Sequence, residues 1–170
     1  MVSQQHGQTG EHDEQRHEDQ SASGYVPSMT SLSDQREIHA PADQVWSLLV
    51  DVARWPTWTP SMREVTPLQP CPLAVGHRVR VVQPHIPEAT YTVDRLEPGR
   101  IFSWNSSTLG VTTRAVHEVE PTADGCRVSL TLSWTGLPTP AVALIFGRTT
   151  RTFLRQEVEG LKELAERPRD

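Results

Sequence analysis

Between residues 63 and 135 the sequence contains six short stretches with the composition of β-strands, separated by turn signals such as Pro98-Gly99 and Asp124-Gly125. β-Branched residues are frequent in these stretches, and the last one alternates apolar and polar side chains. Strands in such close succession pair with their neighbours, so the pattern predicts one curved antiparallel sheet. The predicted strands cover residues 63–68, 76–83, 89–96, 101–106, 111–120 and 126–135.

One further strand and two short helices are predicted before this region. Residues 31–39 have a strand pattern, and residues 41–51 have apolar side chains at helical spacing, with Pro41 suited to the first helical position. A second short helix or a tight turn is predicted near residues 55–60, where Pro56 and Pro60 limit its length. The sequence therefore predicts about seven strands, with two short helices after the first.

A single long helix is predicted after the strands. Thr139 can cap it, Pro140 suits its first position, and Pro168 ends it. At 1.5 Å per residue the helix is about 36 Å long, enough to cross the concave face of the sheet. Its predicted inner face holds Val142, Ile145, Phe146, Thr149, Phe153, Gln156, Gly160 and Leu164.

Two expectations follow from this helix. Arg148, Arg151 and Arg155 lie on its opposite face, where we expect solvation or, alternatively, contact with a protein partner.

One helix does not fill the space beneath a strongly curved sheet, so we expect an internal cavity that opens near the two short helices. The predicted class is therefore α+β, with a curved sheet wrapped on a terminal helix.

Charge divides the chain into two parts. Residues 1–30 hold five acidic side chains and one basic one, with few apolar residues, and are predicted to be a disordered acidic tail. Residues 31–170 form the predicted folded domain, with 16 acids and 15 bases. A nearly neutral domain has no strong field for phosphate backbones, so nucleic-acid binding is not expected. The tail contains His6, His12 and His17, whose spacing fits no metal motif, and no metal site is predicted.

Other classes are excluded by what the sequence lacks. It has no long apolar run for a membrane span and no secretory signal, so a cytoplasmic location is expected. Cys71 and Cys126 are too few for a disulfide framework. The chain also lacks the common nucleophile, nucleotide and zinc-hydrolase motifs. Any catalysis is therefore expected to work without a cofactor, by orientation and proton transfer.

Several segments together resemble a known family. They are APADQVWSLLVD at residues 40–51, RWPTW at 54–58, GHRVRV at 76–81, LEPGR at 96–100, VEP at 119–121 and DG at 124–125. In this order they resemble the SRPBCC (START-related helix-grip) superfamily over residues 32–166, and most of all its polyketide cyclase/dehydrase and lipid-transport branch. The resemblance implies a helix-grip fold. Members of the superfamily include aromatase/cyclases, lipid carriers, hormone receptors, hydrolase-like proteins and chaperone cofactors, so it leaves the function open.

Aromatic side chains are the first candidates for ligand binding, because flat apolar rings suit aromatic or polycyclic guests. The resemblance places Trp55 and Trp58 at the mouth of the cavity. Trp46 is predicted to pack in the core. Trp55, Trp58 and the further candidate Trp134 could instead be core residues. The remaining aromatic candidates are Trp104, Phe146 and Phe153.

Polar candidates follow from strand parity. His117 shares its face with Ala115 and could bind a ligand carbonyl or transfer a proton, or else be a satisfied core histidine. Tyr91 could donate a hydrogen bond to an enolate, or simply fill volume. His117 and Tyr91 are the candidate catalytic residues. Gln83 on a strand and His85 on a loop are candidate ligand contacts.

The sequence leaves three functional hypotheses open. The first is a container for a small hydrophobic or aromatic molecule, such as a polyketide-like metabolite or a lipid. The second is a cofactor-free polyketide aromatase/cyclase or dehydratase that uses His117 and Tyr91. The third is a chaperone-partner or regulatory module that uses the arginine face of the long helix. The oligomeric state is not predicted.

Overall fold

The computed structural model describes residues 29–136 and 139–168. Most of the predicted tail, including its three histidines, lies outside the described residues. The first strand begins at Met29, two residues before the predicted start of the domain. The elements in chain order are β1 (Met29–Ile38), α1 (Ala42–Val50), a 3-10 helix (Val52–Thr57), β2 (Glu64–Pro67), β3 (Arg78–Val82), β4 (Ala89–Glu97), β5 (Ile101–Thr108), β6 (Val111–Thr122), β7 (Gly125–Thr135) and α2 (Thr139–Ala165).

The seven strands form one antiparallel sheet in the order β1-β7-β6-β5-β4-β3-β2. Strands β2 to β7 follow one another through hairpins, while β1 pairs with β7 along its whole length, from Met29 opposite Thr135 to Ile38 opposite Cys126. A bulge interrupts the β4–β5 register between Val93 and Arg95, and such irregularities increase the local twist and bend of a sheet. The predicted strand number and meander order are confirmed.

Helix α2 packs on β1, β7 and α1. The curved sheet therefore holds one long helix, with two short helical segments inserted after the first strand. This is the helix-grip arrangement, and it confirms the predicted α+β class.

The inner face of α2 differs from the predicted one. Ile145, assigned to that face, is 67% exposed, whereas Glu157, not assigned to it, is buried. The buried side chains of the helix are Thr139, Thr150, Phe153, Leu154, Glu157, Val158, Leu161 and Ala165. The predicted face takes its phase from apolar residues of the first turns, among them Ile145, which the structure leaves exposed. That phase is therefore shifted relative to the side chains that are buried in the second half of the helix.

The two short helices are joined to each other through Trp55. Trp55 lies in the 3-10 helix and is almost completely buried. Its indole Nε1 donates a hydrogen bond of 3.0 Å to the Leu49 carbonyl at the end of α1. This bond uses a carbonyl that the end of the helix leaves without an intrahelical partner. It also holds the indole ring against the core.

Candidate functional site

A cavity of about 430 Å³ lies between the sheet and α2. Its wall is supplied by β3 to β7 and by the first two-thirds of α2, because side chains on the concave face of each strand point inwards at every second position. Its lining includes the apolar and aromatic residues Trp55, Met62, Val81, Ile86, Ala89, Tyr91, Trp104, Val111, Ala115, Leu130, Leu132, Trp134, Val142, Phe146, Phe153 and Leu154. A cavity of this size and character suits a small apolar guest.

Three aromatic rings form one wall at the deep end of the cavity. The ring centroids of Trp55 and Trp104 are 5.3 Å apart, and those of Tyr91 and Trp104 are 5.2 Å apart. These separations are typical of favourable tilted contacts between rings. The rings support one another, so this wall is a preorganised surface for a flat guest.

The exposed lining residues lie at the other end of the cavity. Leu109, in the turn between β5 and β6, is 93% exposed, and Pro87 and Glu88 before β4 are also exposed. Val142 and Phe146 from the first turns of α2 line the cavity as well. The mouth therefore lies where the β5–β6 turn meets the start of α2, and not beside Trp55 and Trp58 as the sequence had suggested.

The structure brings eight of the ten candidate site residues into the lining of this cavity: Trp55, Gln83, Tyr91, Trp104, His117, Trp134, Phe146 and Phe153. The other two lie outside it. Trp58 packs half-buried against the core, with its ring 5.7 Å from that of Trp55. His85 is exposed on the loop before the lining residues Ile86 and Pro87, with a positive φ of 61°.

His117 is held in the wall by a stacked contact. Its ring lies 4.2 Å from that of Phe102 and nearly parallel to it, and the side chain is only 3% exposed. Among the described residues its Nδ1 has no hydrogen-bond partner. Burial lowers the pKa of His117 to about 3, and the Phe102 backbone offsets this effect only in part. The imidazole is therefore neutral at pH 7, where it can make a hydrogen bond but does not hold a second proton.

Tyr91 is the second polar group at the deep end. Burial, and next the nearby Glu157 carboxyl, raise the pKa of its phenol to about 12. Tyr91 is therefore fully protonated near neutral pH and is available as a hydrogen-bond donor.

Glu157 is the site residue that sequence reasoning missed. It lines the cavity from α2, and its Oε1 accepts a 2.9 Å hydrogen bond from the Ser61 hydroxyl. Burial raises the pKa of this carboxyl to about 7, although the Ser61 hydrogen bond acts to lower it. The sequence does carry a signal. Glu157 stands one turn from both Phe153 and Leu161, within the stripe that is buried.

Basic side chains lie on the outer surface and not in the cavity. Arg80 pairs with Glu64 and Glu88, and Arg114 pairs with Asp94. No lysine or arginine is found among the cavity-lining residues of the described chain. The two acids of the lining are Glu88 at the mouth and Glu157 at depth.

Comparisons with solved structures agree with this fold. Norcoclaurine synthase from Thalictrum flavum, in complex with dopamine and hydroxybenzaldehyde, superposes with a TM-score of 0.67 at 14% identity, over 98% of this chain and 100% of that one. Protein MLL2253 from Mesorhizobium loti gives 0.64 at 18% identity, over 83% and 100% of the two chains. The di-domain ARO/CYC StfQ from the steffimycin biosynthetic pathway gives 0.62 at 14% identity and 81% coverage of this chain. The matched region spans 51%, about half, of StfQ.

The sheet, the enclosed helix and the apolar cavity define a helix-grip protein built around an internal space. Residues 29–166 match the family model described as polyketide cyclase / dehydrase and lipid transport. The chain belongs to this family, which is the branch of the SRPBCC superfamily that its sequence motifs indicated. No curated protein sequence matches the chain. Within the described ranges, no helix has both the length and the apolar character that crossing a membrane requires.

Proposed function

We propose that this protein binds a small hydrophobic or aromatic molecule in the cavity beneath α2. The observation that supports this proposal is the combination of an apolar lining with a few polar groups at its deep end, the usual composition of a ligand pocket. The family, which includes polyketide cyclases and lipid-transport proteins, is consistent with a hydrophobic ligand. The neighbouring structures include the di-domain ARO/CYC StfQ from the steffimycin biosynthetic pathway. We also propose a cytoplasmic location, which fits the two free cysteines.

A cavity-filling variant tests the container directly. Ala115 lines the cavity from β6, between Trp104 on β5 and Leu132 on β7. Ala115→Phe places a ring inside the space, so we expect it to reduce binding of naphthalene-type and acyl probes at least tenfold in titration calorimetry. Ala53→Phe is the matched control, because Ala53 is exposed on the 3-10 helix and does not line the cavity. Equal probe affinities in the two variants, with both folded by circular dichroism, would contradict the proposal.

A second candidate function is catalysis of cyclisation or dehydration on a poly-β-ketone without a cofactor. The observation that favours it is the presence of three groups, Tyr91, His117 and Glu157, in one apolar cavity. Tyr91 can donate a hydrogen bond to a developing enolate. Glu157, with a pKa of about 7, is divided between its acid and base forms near neutral pH, which suits proton transfer.

Product analysis separates catalysis from binding alone. A poly-β-ketone produced by a minimal synthase would be analysed with and without the protein, and then with Tyr91→Phe, His117→Ala and Glu157→Gln. Catalysis predicts a changed product distribution with wild-type protein and a return towards the spontaneous distribution in the variants. An unchanged distribution on adding wild-type protein would exclude this function and leave the container intact.

A further inference from the structure

The deep end of the cavity contains a carboxyl that has no positive partner among the described residues. Glu157 is 7% exposed, and of its two oxygens Oε1 accepts the Ser61 hydroxyl. Within the part of the chain that the structure describes, no cationic side chain contributes to the electrostatic environment of this carboxyl. Buried carboxylates in proteins are normally paired with a cation or neutralised. Glu157 has no such cation within the described residues. A bound ligand with a positive charge could take that place.

The rest of the lining also favours a cation over an anion. The described lining has no lysine or arginine, so a fatty-acid carboxylate or a phosphate headgroup would find no opposite charge there. The lining does hold aromatic rings, with Trp55 and Tyr91 each in contact with Trp104 at the deep end. Faces of tryptophan and tyrosine attract cations through the ring quadrupole. A carboxyl beside such rings is the chemistry that recognises an organic ammonium group.

We propose that the cavity selects an aromatic amine in its protonated form, with the ammonium group paired to Glu157 and the ring system held by the aromatic wall. This inference rests on the proposed container function and narrows its ligand class. Glu157 is then a specificity-determining residue, and Ser61 positions its carboxyl through the hydrogen bond to Oε1.

Three matched probes test the charge preference. They are 1-naphthylmethylamine, 1-naphthylmethanol and 1-naphthoate, which share one ring system and differ in charge. By titration calorimetry at pH 8 and low salt, we expect the amine to bind at least tenfold more tightly than the alcohol, and the carboxylate to bind least. A tenfold preference corresponds to about 1.4 kcal/mol, which is close to the lower limit of what one hydrogen bond to a charged group contributes.

The variant Glu157→Gln keeps the shape of the side chain and removes its charge. We expect the ratio of amine to alcohol affinity to fall from at least ten to near one. Glu163→Gln is the matched control, since it removes one acid from an exposed position on the same helix. It should keep the wild-type ratio, because Glu163 does not line the cavity and its exposed charge acts through water of high dielectric constant.

A pH series adds a readout that a purely structural role would not change. The titratable groups in the described lining are Glu88, Tyr91, His117 and Glu157. With pKa values of about 12 and about 3, Tyr91 and His117 stay neutral between pH 6 and 8, and Glu88 is exposed at the mouth. Ionisation of Glu157 should therefore raise the amine affinity about tenfold from pH 6 to pH 8, and Glu157→Gln should abolish this rise.

The outcomes separate the two proposals. If the alcohol binds but the amine shows no preference over it, the charge assignment is overturned and the container stands. The same holds if Glu157→Gln leaves the amine-to-alcohol ratio unchanged. If none of the three probes binds, the container and the charge assignment fail together.

Discussion

The hydroxyl of Ser61 donates a 2.9 Å hydrogen bond to Oε1 of Glu157, a residue 96 positions further along the chain. Both side chains are buried, and Thr59 extends the chain of hydroxyl contacts through its own 2.9 Å contact with Ser61. The loop after the 3-10 helix thereby fixes the carboxyl on α2. A carboxyl held in one orientation inside an apolar space has consequences for stability as well as for ligand choice.

The first prediction concerns the stability of Glu157→Gln at different pH values. The pKa of Glu157 rises from 4.5 to about 7 on folding, so the folded state binds this proton more tightly. The contribution of Glu157 to the free energy of unfolding is fully present below pH 4.5. It decreases by about 3 kcal/mol as the pH rises through 7. Glu157→Gln should therefore gain about 3 kcal/mol relative to wild type between pH 4.5 and pH 8, measured by urea unfolding.

At each pH the free energy of unfolding of wild type is subtracted from that of Glu157→Gln. The contributions of all other titrating groups then cancel. Glu163→Gln serves as the control and should follow the wild-type pH dependence, since Glu163 is exposed. A constant difference between Glu157→Gln and wild type across this pH range would show that the carboxyl titrates normally in the folded state.

Ser61→Ala provides a second prediction on the same pair. The Ser61 hydrogen bond acts to lower the pKa of Glu157. Without this bond nothing offsets the effect of burial, which raises the pKa. The pKa of Glu157 should therefore be higher than in wild type when it is measured by a carbon-13 NMR titration. Ser47→Ala removes a hydroxyl on the exposed side of α1 and should leave this titration unchanged. A lower Glu157 pKa in Ser61→Ala would mean that water reaches the carboxyl in place of the hydroxyl.

His117 gives a third prediction, with the opposite pH dependence. Its pKa falls from 6.5 to about 3 on folding because the ring is buried. Stability from the neutral ring is present above pH 6.5 and is lost as the pH falls towards 3. His117→Phe keeps a ring stacked on Phe102 and removes the titration. Between pH 7 and pH 4 this variant should lose about 3 kcal/mol less stability than wild type.

Chemical denaturation at several pH values measures this difference. His77→Phe is a control for loss of a histidine elsewhere, since His77 is half-buried on the loop before β3 and does not line the cavity. The free energy of unfolding could instead fall by the same amount in His117→Phe and in wild type on acidification. The pKa of His117 would then be the same in the folded and unfolded chains, which contradicts the prediction.

The fold was predictable because its signals are local and repeated. Hairpin turns and strand periodicity identified β3 to β7, and the order of short motifs supplied the family. Strand parity also put Gln83, Tyr91 and His117 on the same faces as apolar neighbours and left open whether those faces point into a cavity. In the structure all three line the cavity. Parity transfers well from sequence to structure because neighbouring residues of a regular strand point to opposite faces.

The position of the mouth and the role of Glu157 were not predictable in the same way. Both depend on how α2 is rotated against the sheet. Ile145 was assigned to the inner face because it is apolar, but it is exposed, so the predicted phase was shifted. A single acid among apolar residues is usually assigned to the surface. Its spacing of one turn from Phe153 and Leu161 is compatible with burial, but the partner that accommodates the carboxyl, Ser61, comes from a distant loop.

The final prediction contrasts two glycines of α2. A Cβ atom on Gly160 would lie 2.2 Å from the Trp58 carbonyl oxygen, whereas one on Gly147 would meet nothing within 4 Å. Helix propensity alone favours alanine at both positions by about 1 kcal/mol. We therefore expect Gly147→Ala to stabilise the protein by about that amount in thermal or urea unfolding. Gly160→Ala should instead destabilise it by about 1–3 kcal/mol, because α2 must move away from the loop that carries Trp58. If Gly160→Ala were as stable as Gly147→Ala, the close approach of α2 to this loop would be excluded, and with it the helix rotation that places Glu157 in the cavity.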